Sequence, residues 1–211
     1  MTGSILGGSK GRTALCSLQF VASALILIGF FAPWVPHKSA ALTVTGYQMS
    51  EFAKFFPQVQ SAGVPLTRAY FIAPLLSGVV SMGLVLRRSS LRPAVRVVGT
   101  GLVALLILAV LPPHYSILDP SYRLQLIMVA SGMLLTAGTF LTAHLTERMH
   151  GLMSFLVAVA GAVPALWQFV LFRPLIAQLY RSPVRPGWGL VVGVLGSVLL
   201  ALLGLRRFFK A

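Results

Sequence analysis

The chain has 211 residues, 57% hydrophobic and 9% charged, with a mean hydropathy of +0.88 and a formal net charge of +14. A water-soluble domain carries about 25% charged residues, so polar groups here are too few to cover a surface in water, and lipid is the expected solvent around most of the chain. The basic residues stand at the ends of apolar runs rather than along one face between aromatics, which argues against nucleic acid and for anionic lipid headgroups as partners, each basic group near such a surface being worth ~1 kcal/mol.

Six apolar runs follow one another, at about 13–33, 69–86, 93–112, 124–143, 151–172 and 188–205. A spanning helix needs ~20 apolar residues, with ~17 a practical minimum. The predicted fold is therefore all-α, a single domain over residues 1–211 built as a bundle of six transmembrane helices. The first run follows Lys10 and Arg12 as a signal peptide would. Its apolar stretch is long and lacks a clear Ala-x-Ala exit, so it reads as a helix that stays. It holds the one cysteine, Cys16, which allows no intrachain disulfide and no thiolate metal cluster. Gln19 in this run and Gln168 in the fifth are expected to hydrogen-bond between helices.

Residues 34–68 form the largest piece between runs and are placed outside the cell. Within it, Thr45 and Gln48 have the spacing of a capping box, and a short amphipathic helix should follow. Phe52, Phe55, Phe56 and Val59 fall at helical spacing, and Pro57 limits the length. Such a face does not stay in water. It lies in the headgroup layer, or it covers a partner subunit or a pocket mouth.

After the second run comes RRSSLRPAVR, residues 87–96, with four arginines and no acid. Six spans put both termini on one side. Ten of the 17 lysines and arginines collect there: Lys10, Arg12, Arg87, Arg88, Arg92, Arg96, Arg148, Arg206, Arg207 and Lys210. Short cytoplasmic loops carry the excess of positive charge. The predicted location is the cell membrane, with both termini and this loop cytoplasmic. Trp34, Tyr70, Trp167 and Trp188 then fall near the external interface, where amphipathic rings anchor.

Between the third and fourth runs, PPHYSILDPSYR holds His114, Tyr115, Asp119, Tyr122 and Arg123. These are the residue types of a polar binding site, and loops host function disproportionately. Turn chemistry explains the stretch equally: Pro112-Pro113 ends a helix and Asp119-Pro120 starts a turn. Between the fourth and fifth runs, HLTERMH places His144, Glu147 and His150 close together. The reading adopted is an exposed helix end without a metal. After the fifth run, RPLIAQLYR at 173–181 reads as a second short surface helix. The sixth run opens with Gly189-x-x-x-Gly193 and continues to Gly196. Small residues there let helix backbones approach closely in lipid.

No acid or basic residue falls well inside a run, where proton relays and ion paths need one. No serine–histidine pairing, acid cluster or phosphate-binding loop is present to suggest catalysis. No cofactor is expected. The leading expectation is a non-catalytic membrane subunit or accessory protein that packs with other membrane protein subunits. The alternative is a small-solute transporter or substrate-binding membrane component; about 200 residues in six helices is similar in size to the substrate-capture subunits of energy-coupling vitamin transporters. A membrane haem or metal protein, or an enzyme, stands third, on the edge histidines.

Overall fold

The computed structural model describes residues 5–36, 43–61, 63–88, 93–112, 117, 119–141 and 146–210. Helix α4 (Ala73–Arg88), entered through a 3-10 turn (Arg68–Ile72), is the axis of the bundle. Around it pack α1 (Ile5–Phe31), α5 (Pro93–Leu108), α6 (Arg123–Leu141) and α7 (Glu147–Tyr180). Helix α8 (Trp188–Lys210) lies behind, against α1 and α7. In the apolar window of Arg68–Arg87, 89% of residues are buried, against 33% for Thr13–Phe31 and 39% for Trp188–Lys210. Protein, not solvent, covers α4.

Among the described residues, four helices are long and apolar enough to cross a membrane: Thr13–Phe31, Arg68–Arg87, Glu147–Tyr180 and Trp188–Lys210. The apolar part of α5, Arg96–Leu108, is shorter. The expected run 93–112 thus leaves the helix at Leu108 and turns through Val110 and Leu111.

Lipid supplies no hydrophobic drive between helices, so close backbone contact has to come from small side chains. A Cβ added to Gly29 of α1 would stand 2.4 Å from the backbone nitrogen of Gly193 in α8. The same is true of Gly151 against the Gly204 carbonyl at 2.6 Å, and of Gly161 against Ser77 Oγ at 2.3 Å. Gly189 abuts Ala32, and Gly196 abuts Ala22 and Ile26. The small residues of α8 therefore lie within this chain's own helix contacts.

The described residues between 33 and 72 form a cap over one end. Strand β1 (Pro33–Val35) pairs antiparallel with β2 (Val44–Thr45), and α2 (Gly46–Phe52) starts at Thr45. Both halves of the capping box form: Thr45 Oγ1 accepts from Gln48 N at 3.3 Å, and Gln48 Oε1 accepts from Thr45 N at 3.0 Å. A 3-10 turn (Ala53–Phe55) and the one-turn α3 (Pro57–Gln60) follow. Beneath lies an aromatic core of Trp34, Phe56, Phe71, Phe169 and Phe172. Most of its rings meet edge to face, Phe56 and Phe172 at 4.8 Å between centroids, the arrangement that aromatic quadrupoles prefer.

That core also accounts for the length of α7. Its 34 residues run unbroken through Pro164 and Pro174, about 51 Å at 1.5 Å per residue. Residues 173–180 are its last turns, not the separate surface helix expected. Phe172, Leu175 and Ile176 are buried in the aromatic core, and that packing outweighs one lost backbone hydrogen bond. The helix ends at Arg181, which takes a left-handed conformation with φ of 49°.

Candidate functional site

Two polar clusters lie at opposite ends of the bundle. At the end that holds the last turns of α8, Gln19 of α1 meets α7 and α8. Gln19 Oε1 accepts from Arg207 Nη1 and stands 3.0 Å from His150 Nε2, while Gln19 Nε2 donates to Ser154 Oγ at 3.3 Å. All four side chains are buried. Arginine can only donate, so Gln19 Oε1 must face it; His150 Nε2 then carries a hydrogen. One turn on, Ser23 and Ser81 hydrogen-bond at 2.7 Å and tie α1 to α4. Arg87, the first arginine of the basic stretch, donates to the Thr139 carbonyl at 2.6 Å in the last turn of α6, where helix carbonyls lack partners.

His150 was expected at an exposed edge. It is instead 3% exposed, because the helix carries it onto the face that meets α1. Glu147 is half-buried and Arg148 exposed. His144, His37, His114 and Tyr115, and the loop residues 89–92, lie outside the described residues. Among the described residues, no three of His, Cys, Asp and Glu gather as metal ligands.

At the capped end, Tyr122 is held by two cations from distant segments. Lys54 Nζ donates to both Glu51 Oε2 and the Tyr122 hydroxyl. The Arg68 guanidinium stacks on the Tyr122 ring at 3.9 Å and donates to the Ser121 carbonyl at 2.8 Å. The Lys54 hydrogen bond pulls the Tyr122 phenol below its ordinary pKa, against burial. Lys54 itself is pushed up: burial, the largest single influence, lowers it, but its hydrogen bonds to Glu51 and Tyr122 and the Glu51 charge together prevail. Asp119 accepts from the Ser121 backbone N–H at 2.8 Å, which holds its carboxyl below the usual range. That is its turn role. Arg123 is exposed. Of the five residues singled out in PPHYSILDPSYR, the structure thus draws Tyr122 into a cluster, and its partners Glu51, Lys54 and Arg68 were not anticipated. They are 54 to 71 positions away in the chain, and no local pattern links them.

Phe52, Phe55, Phe56 and Val59 do not share one face. The helical path breaks between Phe52 and Pro57. Phe56 is 6% exposed in the aromatic core, with Phe52 and Val59 packed against it, whereas Phe55 points away at 76%.

Beside the Tyr122 cluster, between α2 and the adjoining ends of α5 and α6, is a cavity of about 210 Å³. Tyr47, Ser50 and Glu51 line it from the cap; Ile72, Val110, Leu111, Pro112 and Gln125 close it. Gln125 Nε2 donates to the Val110 carbonyl at 2.8 Å, but Gln125 Oε1, buried, has no partner. The space around Ile26 and Phe30, by contrast, is about 10 Å³, room for at most one water. Compared with protein-family models, with curated proteins and with solved structures, the chain has no significant match.

Proposed function

We propose that the chain is a polytopic protein of the cell membrane with six spanning helices and both termini cytoplasmic, and that it works as a non-catalytic component which packs with another membrane protein through α5 and α6. The cap would lie outside. The 19 residues of α6 extend about 28 Å and the 16 of α5 about 24 Å, against a hydrocarbon thickness of ~30 Å.

One observation carries the partner reading. Within the α1, α4, α7 and α8 core, Gly29, Gly151, Gly161 and Gly204 all stand against neighbouring atoms. A Cβ added to Gly101 of α5 or to Gly138 of α6 would meet nothing within 4 Å. Around them Val97, Val98, Leu102, Leu105 and Leu134 are exposed. Glycine costs a helix about 1 kcal/mol relative to alanine, and in lipid that cost is recovered where another helix approaches. Gly101→Leu with Gly138→Leu is expected to strip the partner from protein extracted in mild detergent, while the variant stays folded and monodisperse. A native extract in which the unmutated protein is monomeric and alone would sink the reading. So would a complex that survives both leucines.

A further inference from the structure

We propose that the cavity between α2 and the α5–α6 ends binds a small neutral molecule that carries a hydroxyl or N–H donor on an apolar body. This goes beyond the partner reading and does not depend on it.

Size comes first. A cavity of 150 Å³ in a protein interior accommodates benzene, so about 210 Å³ suits a ligand somewhat larger than one aromatic ring. Chemistry of the wall comes second. Ile72, Val110 and Leu111 offer an apolar floor, while the polar atoms are weighted toward acceptors. Ser50 Oγ already donates to the Tyr47 carbonyl at 3.2 Å, which leaves its lone pairs. Glu51 brings a carboxylate. Gln125 is 5% exposed, and its Oε1 has no hydrogen-bond partner. Its amide cannot turn over to cure this, because Nε2 is needed by the Val110 carbonyl. A buried acceptor left unmet is costly, and a donor supplied from the cavity removes that cost.

Charge decides what kind of donor. One anion, Glu51, faces two cations, Lys54 and Arg68, which meet at Tyr122. An ammonium ligand would be drawn to Glu51 but opposed by both cations. A hydroxyl or carboxamide N–H meets Gln125 Oε1 and brings no charge. The same donor chemistry is available from a free solute or from a lipid headgroup that bears hydroxyls.

The test uses a matched pair of probes, benzyl alcohol and ethylbenzene, equal in heavy atoms and differing in the donor. Binding is read by ligand-observed NMR on the whole protein in phosphatidylcholine nanodiscs, with empty discs subtracted. The expected result is saturable binding of benzyl alcohol, about tenfold tighter than ethylbenzene, the effect of one buried hydrogen bond. Gln125→Met, close in volume, should erase the preference. Leu111→Trp, which fills the cavity from its rim at a half-exposed position, should abolish both signals; circular dichroism checks that each variant is folded. Absence of saturable binding means the cavity holds water only and overturns the proposal. A preference that persists in Gln125→Met, or a signal that persists in Leu111→Trp, also overturns it, the latter as partition into lipid. Weaker benzyl alcohol binding in discs that also contain a neutral, hydroxyl-bearing galactosyl diacylglycerol would assign the natural donor to a headgroup; unchanged binding would assign it to a free solute.

Discussion

The Gln19 carboxamide joins three helices, with Arg207 and His150 on its oxygen and Ser154 on its nitrogen. Side-chain hydrogen bonds within membrane proteins average about 0.6 kcal/mol each. Gln19→Leu removes three and leaves a buried guanidinium with one acceptor fewer, so a loss of about 2 kcal/mol is expected. Unfolding in mixed micelles measures it, and an unchanged midpoint would show that the network contributes nothing. The other cluster responds to pH. The folded pKa of Lys54 lies above its ordinary value of 10.5. Its contribution is therefore fully present below about pH 10.5 and is lost as pH rises through the higher folded value. The stability difference between the protein and its Lys54→Met variant should be flat across neutrality, rise as the Tyr122 phenol that Lys54 holds low ionises, and shrink only in stronger alkali. A difference that changes across neutrality would place the controlling charge elsewhere. Sequence reading singled out Gln19 as a helix-to-helix donor because a lone amide in an apolar run must find a partner. It missed His150, since a residue at the end of a run has no pattern to say which way the helix turns it.

Between elements, the contact of α1 with α8 is asymmetric. A methyl on Gly29 would press on the Gly193 backbone at 2.4 Å, whereas a methyl on Gly193 would meet Gly29 Cα at an ordinary 3.8 Å. Gly29→Ala must push backbones apart and should cost about 1–3 kcal/mol, as overpacking does. Gly193→Ala should be neutral or favourable by up to about 1 kcal/mol through helix propensity. Paired thermal melts decide, and equal losses for both would mean that the helices cross elsewhere. The spacing of Gly189, Gly193 and Gly196 was legible, but the partner was not, because Gly29 belongs to no motif. Local signals likewise gave the capping box at Thr45 and Gln48, whose chemistry is complete within four residues. They failed at Pro174, where the aromatic core keeps the helix going, and at Phe55, where a 3-10 turn shifts the phase of the face.

For the whole molecule, charge in the connecting segments is the guide to orientation. Arg87, Arg88, Arg92 and Arg96 hold the largest share of the bias, and that bias follows the cytoplasm. Ser89→Cys in a Cys16→Ser background should resist an impermeant thiol reagent in intact cells and react once they are opened. Prompt labelling from outside would invert the proposed topology. The mainly helical architecture and four of the six expected apolar lengths were readable because bilayer thickness imposes such lengths on a sequence. The meeting of Tyr122 with Lys54 and Arg68 was not, because it exists only after the cap folds over the bundle.

The position of α4 has a further consequence for which amino-acid changes the chain can accept. Helices α1, α7 and α8 each keep one side against the protein and one side away from it. Tolerance of substitution along them should rise and fall every 3.6 residues. Helix α4, with 89% of its apolar window buried, has no permissive side. A complete substitution scan with a folding readout should show there a continuous intolerant band without period, interrupted mainly near Met82, its most open apolar position. Its hydrophobicity suits it to enter lipid during synthesis, but its side-chain shapes are set by its neighbours.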